Sequence, residues 1–129
     1  MDWDAHTLKV LELDYVRQEW ARRAETPFGR EYALARELSR DEALVNLRLQ
    51  ETDDAARLLM REPPPPLRAP EPRPALQKAE KGGVLSPEEL LHVQNLLRAA
   101  RLYKSHLLPR AERYPRLAVY AERLHTLSA

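Results

Sequence analysis

Apolar residues recur at three- and four-residue steps along most of the chain, the period of a helix that buries one face. At the N-terminus they are Leu8, Leu11, Tyr15, Val16, Trp20 and Ala24, with a break expected at Asp14 that divides a short helix from a longer one. Thr26-Pro27 starts the next helix, predicted over 27–38, because a threonine hydroxyl satisfies a free amide and proline at the first helical position gives up no needed donor. Ser39-Arg40-Asp41-Glu42 has the Ser-x-x-Glu spacing of a capping box. The stripe Leu44, Leu47, Glu51, Ala55, Leu58 then predicts a helix running toward Met60.

Residues 63–74 interrupt this period and hold seven of the eleven prolines. A segment so poor in amide donors is predicted to be an extended connector. Pro74 is expected to open a short helix to Lys81, ended by Gly82-Gly83, since the residue after a helix often takes the left-handed conformation. Ser86-Pro87-Glu88-Glu89 combines a serine cap, proline at the first position and glutamate at the third, so a long helix is predicted to Leu108. Pro109 interrupts it, and Pro115 starts a last helix carrying Leu117, Tyr120, Leu124 and Leu127. The expected fold is all-α, a bundle of about six helices in one domain over 1–129. It would comprise N-terminal helices at 1–62, the proline-rich connector at 63–74 and a basic helical pair at 75–129.

Composition agrees with a helical chain: leucine and alanine supply 40 of 129 positions, isoleucine is absent, and valine plus threonine supply ten. That starves a β-sheet of its preferred residues. Zero cysteines exclude a disulfide scaffold, a thiolate metal site and a cysteine nucleophile, and they fit a reducing compartment. The acidic start Met1-Asp2-Trp3-Asp4 and the lack of a long apolar run predict neither a signal peptide nor a membrane span, so a cytoplasmic location is expected.

Charge is nearly balanced, 21 basic against 20 acidic residues, but unevenly placed. Residues 1–62 carry 10 basic and 14 acidic groups, whereas residues 90–129 carry 7 basic and 2 acidic. The basic set is Arg98, Arg101, Lys104, Arg110, Arg113, Arg116 and Arg123, which could lie against phosphates. A solvated helix face in an arginine-rich sequence accounts for the same residues. Arg98, Arg101 and Lys104 share one predicted helix and are the candidate nucleic-acid contacts.

Candidate chemistry is sparse. There are only three glycines, and none stands directly before the one Lys-Ser pair, Lys104-Ser105, so a P-loop within this sequence is excluded. No Gly-x-Ser-x-Gly or His-Glu-x-x-His is present, and Ser105-His106 point about 100° apart on a helix. Glu89-x-x-His92 and Glu122-x-x-His125 repeat the step used by carboxylate-bridged di-iron bundles. However, Glu89 is already a capping-box residue, and Glu122 falls nearly opposite the stripe of Leu117, Leu124 and Leu127. No catalytic, cofactor-binding or metal-binding residues are therefore assigned. Pro63 to Arg68 matches a Pro-x-x-Pro-x-Arg ligand for aromatic grooves, a pattern that four consecutive prolines also generate as a plain linker.

Four stretches, taken in order, carry a family resemblance. They are Thr7-Leu8-Lys9-Val10-Leu11-Glu12-Leu13-Asp14, Thr26-Pro27-Phe28-Gly29-Arg30-Glu31, Glu51-Thr52-Asp53-Asp54-Ala55, and Ala79 through Leu90, which contains Lys-Gly-Gly-Val-Leu-Ser-Pro-Glu-Glu-Leu. Together they resemble the N-terminal region of the second bacterial MutS family, where MutS itself has its helical core and lever. The resemblance implies an all-α, non-catalytic module of a larger, dimeric protein. Its motor domain would be a P-loop ATPase using ATP and magnesium, with a small Smr-type nuclease at the C-terminus, neither of which fits within this sequence. It further implies binding to branched DNA, restraint of homologous recombination, and splitting of collided ribosomes. The proline-rich run departs from the family pattern. Ser128-Ala129 follow an apolar stripe without a tail, as expected of a piece of a longer protein. The alternative is a self-association module pairing across Leu90, Val93, Leu97 and the stripe near Leu44.

Overall fold

The computed structural model describes residues 3–126, and among them it contains seven α-helices and one 3-10 turn. The all-α expectation therefore stands, with one helix more than the predicted six. The chain forms two compact units, residues 1–39 and 40–129, so the division falls after Ser39 and the proline-rich connector lies inside the second unit.

In the first unit, α1 (Ala5–Val10) is capped by Asp4, whose carboxylate accepts from the Thr7 amide at 2.7 Å. The expected break at Asp14 occurs instead at Glu12, which takes a left-handed φ of 54°. Asp14 then sits in the first turn of α2 (Leu13–Arg23), where a negative charge complements the free amides. Thr26 caps α3 (Pro27–Leu34) by accepting from the Gly29 amide at 3.0 Å. A side chain at Gly29 would meet the Thr26 hydroxyl at 3.1 Å and the Ala24 Cβ at 3.2 Å, so the close turn there favours glycine. The helix ends four residues before the predicted Leu38, and the Arg36 carbonyl beyond it accepts from Arg17 Nε at 2.6 Å. α2 and α3 meet over buried Ala21 and Ala33. Beside them Trp20 and Tyr32 stack edge to face at 6.4 Å, and the Arg36 guanidinium lies 4.5 Å from the Tyr32 ring centre.

In the second unit, α4 (Glu42–Arg61) is capped by Asp41, which accepts from the Ala43 and Leu44 amides at 3.0 and 3.3 Å. This corrects the predicted Ser39 cap: a carboxylate two residues further on is the stronger acceptor for the free amides. No helix or strand forms over 63–72, yet Ala69 and Pro72 are buried, so the end of the connector is packed. α5 (Arg73–Glu80) begins one residue before Pro74, where the Glu71 carboxylate receives the Arg73 amide at 3.0 Å. It ends in a Schellman turn: the Gly83 amide reaches the Lys78 carbonyl at 2.9 Å and Gly82 takes a φ of 81°.

Both arms of the predicted capping box open α6 (Pro87–Leu107). The Glu89 amide donates to Ser86 Oγ at 3.2 Å and the Ser86 amide to the Glu89 carboxylate at 3.1 Å. Pro109 falls in the 3-10 turn Leu108–Arg110, and α7 spans Pro115–Glu122. Leu124 lies beyond the end of α7, and Leu127 is outside the described residues. The core sits where α4, α6 and α7 converge, built from Leu58, Leu107, Tyr114 and Ala121 with Tyr103 and Leu117 against it. No helix among the described residues is long and apolar enough to cross a membrane.

Candidate nucleic-acid interface

The seven basic residues of the C-terminal third divide by what they touch. Lys104, on α6, donates from Nζ to the Leu124 carbonyl at 2.7 Å and is half-buried, so it ties the chain beyond α7 to α6. Arg110 donates to the His106 carbonyl at 2.8 Å and lies 3.3 Å from Glu62. Arg113 grips both Glu62 carboxylate oxygens, at 3.1 and 2.7 Å. Arg116 reaches Gln50 Oε1 at 2.8 Å. Arg101 is exposed on α6. Arg98 and Arg123 are exposed and make no ion pair or hydrogen bond among the described residues.

Glu62, at the end of α4, organises the engaged group. Its carboxylate accepts from the Tyr114 hydroxyl at 2.9 Å besides the two arginines, and its carbonyl lies 2.7 Å from His106 Nε2. The Tyr114 hydrogen bond, followed by Arg113 and Arg110, holds this carboxyl below the usual range despite its partial desolvation. Burial, reinforced by Glu62, pushes the Tyr114 phenol up.

Asp54 organises a second node. Only 5% exposed, it accepts from the Arg57 guanidinium and, at 2.8 Å, from the Arg116 amide in the first turn of α7. One helix thus caps another, which matters because the Tyr114 side chain at the α7 N-cap makes no capping bond. Tyr120 adds a hydroxyl bond to Glu51 at 2.7 Å.

Sequence reasoning missed Glu62 because its partners lie more than forty residues away and leave no local pattern. Glu51 did leave a signal, being an acidic residue on the predicted apolar stripe of α4, whereas Asp54 stands outside that stripe and is buried all the same. The two Glu-x-x-His steps are not brought together as one cluster. Glu89 is taken by its capping bond and by Lys78 at 3.2 Å, the amide of Ser86 first and Lys78 second holding its carboxyl below the usual carboxylate range, while Glu122 is exposed.

Arg98 borders a cleft of about 340 Å³ between the connector and α6. Arg68 stands on the connector side, and Asn95, Leu102 and Tyr103 line the α6 side. A wider groove of about 790 Å³ between α4 and α7 contains Asp53 and Asp54, charges that disfavour phosphate.

The fold carries no family model match and no solved structure matches it. Curated relatives do match. Endonuclease MutS2 of Geobacillus thermodenitrificans is 36% identical over 126 residues, which covers 95% of this chain and 16% of that protein. Endonuclease MutS2 of Ruminiclostridium cellulolyticum is 35% identical over 102 residues, 78% of this chain and 13% of its own length. Endonuclease MutS2 of Geobacillus kaustophilus is 40% identical over 98 residues, 75% of this chain and 12% of its own length. The chain thus spans between 12 and 16% of the length of these three relatives. Similarity across three quarters or more of its own residues makes this chain a MutS2-related segment.

Proposed function

We propose that this segment is a non-catalytic helical core and lever element of a MutS2-type protein, and that it touches nucleic acid through the α6 face bearing Arg98 and Arg101, with Lys104 behind them. The observation that carries the reading is Arg98, an exposed guanidinium with no partner among the described residues, while four neighbouring cations are engaged. Charges left without internal partners are available to phosphates and release counterions on binding. Helices α4 and α6, of 20 and 21 residues, are tied through Glu62 and the residues following α6, which suits transmission of movement as a rigid pair. ATP and magnesium would bind the motor domain of the parent chain, not this segment. Branched DNA and collided ribosomes are the targets that this reading assigns to the whole homodimeric parent, together with restraint of recombination and endonuclease activity.

The test is titration of the 129-residue chain with a labelled four-way DNA junction at several salt concentrations. The reading predicts affinity that falls as salt rises, with a slope of a few phosphates' worth; no binding at low salt would contradict it.

A second reading, self-association without nucleic-acid contact, is favoured by the α6 side chains Leu90 and Leu97, which are 54% and 36% exposed, and by half-buried Val93. Sedimentation at rising concentration tests it: a persistent monomer removes this reading.

A further inference from the structure

The cleft beside Arg98 has properties that the open α6 face lacks. Its two cations, Arg68 and Arg98, stand on different chain segments, the connector and α6, and both are exposed without partners among the described residues. No acidic side chain lines it, and Asn95, half-buried, has an amide with no hydrogen bond among the described residues. Leu67, Leu102 and Tyr103 make the rest largely apolar and aromatic. This combination of an apolar interior, one unused amide and two cations suits an anion that carries a flat, partly apolar body.

We infer that this cleft admits a single nucleic-acid strand, with one base against Leu67, Leu102 and Tyr103 and the flanking phosphates at Arg68 and Arg98. The inference rests on the nucleic-acid reading above and narrows it. At about 340 Å³ the cleft matches one nucleotide-sized group. A duplex, whose major groove alone is about 12 Å wide, can only lie across its rim. Such a duplex meets Arg98 on the helix, whereas a strand entering the cleft meets both arginines. Single-strand sites elsewhere combine a basic track with an aromatic platform, and Asn95 can read a base edge as donor or acceptor.

The proline-rich run acquires a role in this arrangement. Pro66, on the same wall as Arg68, holds its backbone dihedral within a narrow range and so limits the conformations from which Arg68 must be recruited.

The experiment is fluorescence anisotropy of the 129-residue chain with labelled oligo-dT of about 12 nucleotides, within the usual single-strand site range, beside a duplex of the same length. Arg68→Ala is expected to weaken single-strand binding roughly ten-fold and duplex binding by less than about two-fold, and Arg68→Lys to recover most of the loss. Far-UV helicity should be unchanged, because Arg68 has no structural partner among the described residues. An oligo-U arm separates RNA from DNA as the source of the strand, and loss on either carries the inference. If Arg68→Ala leaves both strands unaffected, or weakens strand and duplex equally, the cleft is not a strand site, although a duplex sensitive to Arg98→Ala would keep the face reading intact. If the unaltered chain binds neither strand nor duplex, the nucleic-acid reading falls and the cleft with it.

Discussion

The C-terminal end and the middle of α6 use polar side chains in opposite ways. Toward the C-terminus, Lys104 holds the Leu124 carbonyl, His106 meets the Glu62 carbonyl, and Arg110 and Arg113 just beyond the helix converge on the Glu62 carboxylate. Toward the middle, Asn95 and Arg98 have no partners among the described residues and border a cleft. At the C-terminal end the half-buried Lys104, His106 and Arg110 are paired, since desolvation without a hydrogen bond is costly, and their partners include segments distant in sequence. Arg98, near the middle, has no such internal task. Basic residues of one short region therefore divide into those that build the fold and those left for a ligand, although their sequence spacing is alike.

The largest effect that sharpens this contrast is expected at the latched end. Leu58→Ala removes a leucine that is 5% exposed in the core beside Leu107 and Tyr114, and should destabilise the second unit by about 3 kcal/mol. Urea unfolding followed by tyrosine fluorescence and circular dichroism would measure it; a loss below about 1 kcal/mol would mean the core closes elsewhere.

Acid should act on the same end. The Glu62 carboxyl is held below its ordinary value, so its contribution to stability is full above the unfolded value of about 4.3 and is lost as pH falls below that and through the folded value. Glu62→Gln should lower stability at neutral pH and flatten the acid branch of the stability curve. An acid branch identical to that of the unaltered chain would show that Glu62 does not link the end of α4 to Tyr114 and Arg113. Glu71, held at about 2 by its bonds to Arg73, acts in the same sense, its contribution being lost progressively as pH falls from the ordinary carboxylate range toward that value.

A smaller effect distinguishes the two cations directly. Lys104→Ala leaves the half-buried Leu124 carbonyl region without its donor and should cost about 1 kcal/mol. Arg98→Ala, with no partner to lose, should stay within about 0.5 kcal/mol of the unaltered chain. Equal losses would break the comparison.

What the sequence made legible was local. The Ser86 and Glu89 box, the Thr26 cap and the left-handed Gly82 are each specified by neighbours within a few residues, and the structure has all three. Competition between nearby signals was harder to read. Asp41 outcompetes Ser39 as a cap, and the chain bends at Glu12, although nothing in its residue type favours a positive φ. The candidate interface was legible as a basic stretch but not as a division within it. Spacing placed Arg98 and Lys104 on one helix, yet the partner that engages Lys104 is a backbone carbonyl twenty residues on, invisible to any pattern of side chains. Arg68 was legible only as part of a proline-rich run, because its relation to Arg98 exists only once the connector folds back to border α6.

The most direct test of the central claim is the salt dependence of duplex binding for Arg98→Ala and Lys104→Ala, measured side by side. Each phosphate contact contributes a slope of about 0.9 in the logarithm of affinity against that of salt. The account predicts that Arg98→Ala lowers the slope by about that amount while Lys104→Ala leaves it unchanged. A slope lowered by Lys104→Ala and untouched by Arg98→Ala would contradict it.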